Sequence, residues 1–166
     1  VVVSILGLLS SVVLAGLNGS RIKARDARRI YDLNQIKKAI ELHYDKYGYY
    51  PASPCGWDCN SYYYSVGAGW TSASGLGQAL AEFIPRLPVD PLNTGGGGPW
   101  NGGRSYSYGN VGRDVFVGYD LTTSLEDPNS PHRCGVRDYL WMYNTGHWCV
   151  AFGGMYSNQI YEASNI

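Results

Sequence analysis

Hydrophobic and polar positions divide this chain into three textures. Val1 to Leu17 (VVVSILGLLSSVVLAGL) carries no charge. As a helix rising about 1.5 Å per residue it spans roughly 25 Å, near the lower limit for crossing a hydrocarbon layer of about 30 Å. Asn18-Gly19-Ser20 follows, a helix-weakening triplet that predicts either a short unwound link or a tolerated kink. From Arg21 the pattern changes to an amphipathic helix. Ile30, Leu33, Ile36, Ile40, Tyr44 and Tyr47 recur at steps of three or four, while Lys37, Lys38, Glu41, Asp45 and Lys46 fall between them. Gly48, with Pro51 three residues on, is the stop signal.

Beyond Tyr49 the helical period is lost. Ser61–Val66, Ser105–Tyr108, Val115–Leu121, Tyr139–Tyr143 and Trp148–Phe152 read as extended runs, the last two paired across Asn144-Thr145-Gly146. Gly77–Phe83 reads as one short helix closed by Pro85 and Pro88. Gly95 to Gly98 with Pro99 reads as a flexible loop, since no Gly-Lys-Ser/Thr follows that would make a phosphate cradle. The expected fold is α+β: a long N-terminal helix, apolar then amphipathic, packed against a small antiparallel sheet head with long loops. The expected divisions are 1–20 (apolar helix), 21–48 (amphipathic stem) and 49–166 (head).

Composition sharpens this picture. The chain has 166 residues, with 22 Gly, 15 Tyr and 5 Trp but only 3 Phe and 2 Met. Tyr and Trp with Gly-rich turns favour short strands and ordered loops. Net charge is zero overall, yet residues 1–50 carry +4 and residues 51–166 carry −4. A head of that sign argues against nucleic acid as a partner. Cys55, Cys59, Cys134 and Cys149 fit two disulfides in an oxidising compartment, with local pairs (Cys55–Cys59, Cys134–Cys149) preferred among three pairings. The competing reading is a metal held by two His-x-Cys pairs, His132/Cys134 and His147/Cys149.

No catalytic residue is expected. His43 reads as a packing or surface residue of the stem, and His132 and His147 lack a nucleophile motif. Tyr62, Tyr63, Tyr64, Trp70, Trp100, Tyr106 and Tyr108 read either as the filling of a Gly-rich domain or as a sugar-stacking surface. The basic run Arg21–Arg29 reads as a face for anionic lipid, for acids of neighbouring subunits, or for solvent alone. Asp26, within it, is expected to form local ion pairs.

The stretch Ala24-Arg25-Asp26-Ala27-Arg28-Arg29-Ile30 through Ala39-Ile40-Glu41-Leu42-His43-Tyr44, ending Gly48-Tyr49-Tyr50-Pro51, resembles the stem of type IV pilins and of type II secretion major pseudopilins. The apolar run looks like their membrane helix. Leu87-Pro88-Val89-Asp90-Pro91 and Gly118 to Glu126 look like the sheet region of bacterial members. The resemblance is dense over 1–51, patchy to about 127 and weak beyond, where Cys134 to Cys149 is a private elaboration. The family begins its mature chain with a methylated aromatic residue and has a glutamate four positions later; Val1–Leu17 holds no acid. The expectation is therefore that Val1 lies inside the mature helix and that the apolar run is retained rather than removed as a signal peptide.

The resemblance implies a structural subunit (major pilin) of a type IV pilus-like extracellular filament on a bacterial surface. Its precursor would sit in the inner membrane, served by the pilus assembly machinery and a prepilin peptidase, and its chief partners would be identical subunits. Val3, Leu6, Gly7, Leu9, Val13, Leu14 and Leu17 would form the assembly core, and Ile30, Leu33, Ile36, Ile40 and Tyr44 the stem's packing face. On this view Gly7→Leu or Ile36→Asp abolishes assembly and spares the isolated head. The alternatives are a major pseudopilin of a type II secretion system, or a membrane-anchored glycan-binding protein. No cofactor is expected, with calcium in pseudopilin-like heads as the one exception. Asp90, Asp114, Asp120, Glu126 and Asp127 are its candidate ligands, read otherwise as solvated loop acids.

Overall fold

A computed structural model describes residues 2–54, 63–71, 73–95, 103–110, 118–127, 129–132 and 160–162, and the backbone alone at Val2, 8–16, Asn110, Asp120 and 160–162. A single helix, α1, runs Val2–Tyr47. It continues through Asn18-Gly19-Ser20, so that triplet is tolerated rather than unwound. It ends at Gly48, whose φ of 77° is left-handed. The Gly48 N–H bonds the Tyr44 carbonyl at 2.7 Å, which satisfies one orphan carbonyl of the last turn.

The head carries β1 (Tyr63–Tyr64), a 3-10 turn (Ala68–Trp70), α2 (Gly75–Leu80), β2 (Ser107–Asn110), β3 (Tyr119–Ser124) and β4 (Ile160–Glu162). The strands form one antiparallel sheet in the order β1-β2-β3-β4. The architecture is thus α+β, a long N-terminal helix with a small antiparallel sheet. Tyr108 pairs with Leu121 and Ser107 with Thr122. Because strand side chains alternate, Tyr108, Tyr119 and Leu121 share one face and Ser107 and Thr122 the other. On the hydroxyl face Ser107 Oγ and Thr122 Oγ1 lie 2.6 Å apart.

The core forms where the amphipathic half of α1 meets the head. Leu33, Ile36 and Ile40 are buried with Trp70, Leu76, Leu80, Tyr106, Tyr108, Tyr119, Leu121 and Leu125, while Ile30 and Tyr44 pack at its margin. Tyr47, also on the expected stripe, is exposed instead, at the last turn of the helix. Of the expected elements, the Ser61–Val66 run contains β1, Ser105–Tyr108 overlaps β2 and Val115–Leu121 overlaps β3. The Gly77–Phe83 helix is α2, starting two residues earlier and giving way to a turn after Leu80. β4 and the 3-10 turn have no counterpart in the sequence pattern. Tyr139–Tyr143, Trp148–Phe152, the Gly96–Pro99 loop and all four cysteines lie outside the described residues.

Candidate functional site

Two features of α1 stand out, and both come from how its polarity changes along its length. The described side chains of its apolar stretch are turned outward: Val3 is 82% exposed and Leu6 58%, with Ile5 and Leu17 also exposed. A Cβ built on Gly7 meets nothing within 4 Å. Among the described residues no helix is long and apolar enough to cross a membrane. The described side chains leave out 8–16, and with them the expected core positions Leu9, Val13 and Leu14.

Roughly two to three turns past the apolar run, the helix is bolted to the head by charge. Arg29 is fully buried. Its Nε and Nη2 donate to Asp90 Oδ2 and Oδ1 at 2.6 and 3.0 Å, and its Nη1 donates to Asp26 Oδ1 at 2.7 Å and Glu126 Oε1 at 2.6 Å. Arg25 forks onto the same Glu126 through Nε (2.8 Å) and Nη2 (2.6 Å). The Asp26 carboxylate accepts in addition from the backbone N–H groups of Glu126 (2.9 and 3.1 Å) and Asp127 (2.8 Å). Asp90 Oδ1 also caps its own turn, accepting from Leu92 N at 2.8 Å and Asn93 N at 3.3 Å. Spacing explains the local part: Asp26 and Arg29 are three apart and share one helix face.

Two guanidinium groups therefore face three carboxylates with almost every donor and acceptor matched, the condition under which buried charge is tolerable. Burial by itself would lower the Arg29 pKa, but the hydrogen bonds to Asp90, Glu126 and Asp26 outweigh it and hold the guanidinium charged. The hydrogen bond from Arg25, then those from Arg29, pull Glu126 down to about 2 against the resistance of burial. Next to this cluster, burial raises the Asp32 pKa despite a hydrogen bond from Tyr106 Oη at 2.9 Å and the positive charge of Arg28 at 3.6 Å. A second, exposed tie joins the other end of the stem: Lys46 pairs with Glu82, which also accepts from Tyr47 Oη at 3.0 Å.

These contacts correct several expectations. Asp90 and Glu126 are not solvated loop acids; they are the head's half of the clamp, because Arg29 and Arg25 reach them within the chain. Asp127 contributes its backbone N–H to Asp26, and its Oδ1 accepts from Asn129 N at 2.9 Å. Asp114 and the Asp120 side chain lie outside the described residues. Among the described residues no group of three or more His, Cys, Asp or Glu is placed to hold a metal. Within the basic run, Arg25 and Arg29 are engaged internally, which leaves Arg21, Lys23 and Arg28 facing outward.

The aromatic residues also resolve in part. Trp70, Tyr106 and Tyr108 are buried and so form no sugar-stacking surface. Each has its polar tip satisfied: Trp70 Nε1 on Pro88 O (2.7 Å), Tyr106 Oη on Asp32 and Tyr108 Oη on Pro51 O (2.6 Å). Tyr119 Oη likewise reaches Glu41 Oε1 at 2.8 Å. Burial first, then the neighbouring carboxylates, drives the Tyr106 and Tyr119 pKa values up. Tyr63 and Tyr64 are half-buried, and Tyr62 and Trp100 lie outside the described residues. His43 is a packed residue, buried beside Tyr47, Tyr49 and Phe83, with Nδ1 2.9 Å from the Tyr49 carbonyl.

The Asp26–Arg29 pair is the local one expected from helical spacing, and the pairing of Arg25 and Arg29 with Asp90 and Glu126 is the part that the sequence pattern did not reveal. Its visible signal was Asp26 standing alone among five basic residues; nothing local marked Asp90 or Glu126 as its distant partners. A scan against protein-family models finds no match, and searches of curated proteins and of solved structures find none.

Proposed function

We propose that this chain is a structural subunit, a major pilin, of a type IV pilus-like filament assembled by bundling of its N-terminal helix. One observation carries the proposal: a single helix whose second half is covered by the chain's own head and whose first part presents Val3, Ile5, Leu6 and Leu17 to the surroundings. Apolar surface removed from water is worth about 25 cal/mol per Å². Lipid tails and a bundle of similar helices are both dry, so the same stretch is suited to a membrane before assembly and to a filament core afterwards. Small residues such as Gly7 let helix backbones approach closely. The clamp supports the same role, since a head fixed on its stem at Arg25 and Arg29 would move with the helix as one body.

Gly7→Leu tests this reading. The added side chain has open space within the single chain, so it should leave the subunit's level and thermal unfolding unchanged while removing it from the filament fraction sheared off producing cells. Undiminished filaments in this variant would contradict assembly through this face. A wild-type chain that stays membrane-bound, forms no long filament and needs calcium would point to the pseudopilin alternative.

A further inference from the structure

A cleft of about 500 Å³ opens between the first polar turns of α1 and the 127–132 turn, lined by Lys23, Ala27, Ile30, Asp127, Asn129 and His132 among others. Asp26 also borders it, but both oxygens of that carboxylate are already engaged by Arg29 and by the backbone of 126–127. The charged groups left to the cleft are the Lys23 ammonium and the Asp127 carboxylate, whose Oδ1 already accepts from Asn129 N at 2.9 Å, with the His132 imidazole among the lining residues. One cation and one anion lining the same cleft match a zwitterion better than an anion. An anion would also feel the clamp behind it, where two guanidinium groups face three carboxylates.

Position narrows the ligand further. Lys23 lies six residues past Leu17, about 9 Å of helix rise. The polar layer of a bilayer leaflet is roughly 5–8 Å deep, and a lysine stem can reach back toward it. The volume equals that of roughly fifteen waters, enough for a headgroup with some hydration. Resting on the membrane-held precursor proposed above, we propose that this cleft receives the headgroup of a zwitterionic phospholipid bearing a primary ammonium. Lys23 and His132 meet the phosphate, and Asp127 accepts hydrogen bonds from the ammonium. A quaternary ammonium offers no N–H to Asp127 and is better served by an aromatic cage.

The test uses the full chain in neutral detergent with equimolar phosphatidylethanolamine, phosphatidylcholine and phosphatidylglycerol of matched acyl chains, with retained lipid read by native mass spectrometry. Phosphatidylethanolamine should be retained over each competitor by roughly twofold to fivefold, the range of an exposed ion pair. Lys23→Gln and Asp127→Asn should each bring retention to parity, and Arg21→Gln, outside the cleft lining, should leave the preference intact. Parity in the parent chain, a preference for phosphatidylglycerol, or an equal loss in Arg21→Gln overturns the proposal. Flotation with phosphatidylcholine vesicles separates the two readings. A chain that floats without headgroup preference overturns the cleft assignment alone, and one that does not float overturns the membrane-held precursor with it.

Discussion

Arg29 has no solvent to fall back on, so its charge is tolerable only while Asp26, Asp90 and Glu126 stay in place. Arg29→Met should therefore lower stability by about 3–5 kcal/mol, because it leaves buried Asp90 without its ion partner and takes one partner each from Asp26 and Glu126. Denaturant unfolding of the full chain in neutral detergent would measure it. Arg28, 66% exposed and 3.6 Å from Asp32, should by contrast lose less than about 1 kcal/mol on mutation to Ala. Acid should undo the clamp in a defined window. Glu126 is held at about 2 against an ordinary value of 4.5, so its contribution is fully present above 4.5 and is lost as pH falls toward 2. Asp32 acts in the opposite sense: its raised pKa favours the folded state below 3.8 and weighs against it at higher pH. Glu126→Gln should flatten the acid limb of stability between pH 4.5 and 2; an unchanged limb would mean that Glu126 is not its source. At this scale the sequence was only partly legible. Ile36 and Leu33 were readable from helical spacing, because burial of a helix stripe is a local property. The partnership of Arg29 with Asp90 spans 61 residues, and no local pattern encodes it.

Among the elements, α1 was the most legible, since its 3.6-residue period and its Gly48 stop are both properties of contiguous sequence. A Cβ on Gly48 meets nothing within 4 Å, so the φ of 77° alone sets the penalty of substitution. Gly48→Ala should lower stability by about 1 kcal/mol. Gly69 presents the reverse case: a Cβ there would sit 2.2 Å from Tyr63 Cδ1. Gly69→Ala must displace the β1 tyrosine and should cost more than Gly48→Ala, with thermal unfolding of both variants as the comparison. A smaller effect at Gly69 would mean that the Tyr63 ring moves aside freely. The strands were read less well. Both faces of Ser105–Tyr108 are buried, so the Tyr/Ser alternation marked a strand without showing where pairing starts. β4, only three residues long, is defined by its pairing with β3 rather than by its own pattern.

For the whole molecule, the +4 stem and −4 head are partly reconciled within the chain, by Arg25, Arg29 and Lys46 against Asp90, Glu126 and Glu82. A share of the charge asymmetry that could have been assigned to partners is thus internal. The same holds for Ile36, which is fully buried against the head. Ile36→Asp should consequently unfold the chain, with lost near-UV circular dichroism, instead of leaving the head folded. Gly7→Leu remains the variant that separates the two levels, because the helix there is open within the subunit. The central claim is that many copies of this chain share one helical core. Electron microscopy of material sheared from the surface of producing cells, with mass spectrometry of the protein band, tests it most directly. Long filaments containing this chain are the expected result; a chain confined to the membrane or soluble fraction, with no filament in the sheared material, would contradict it.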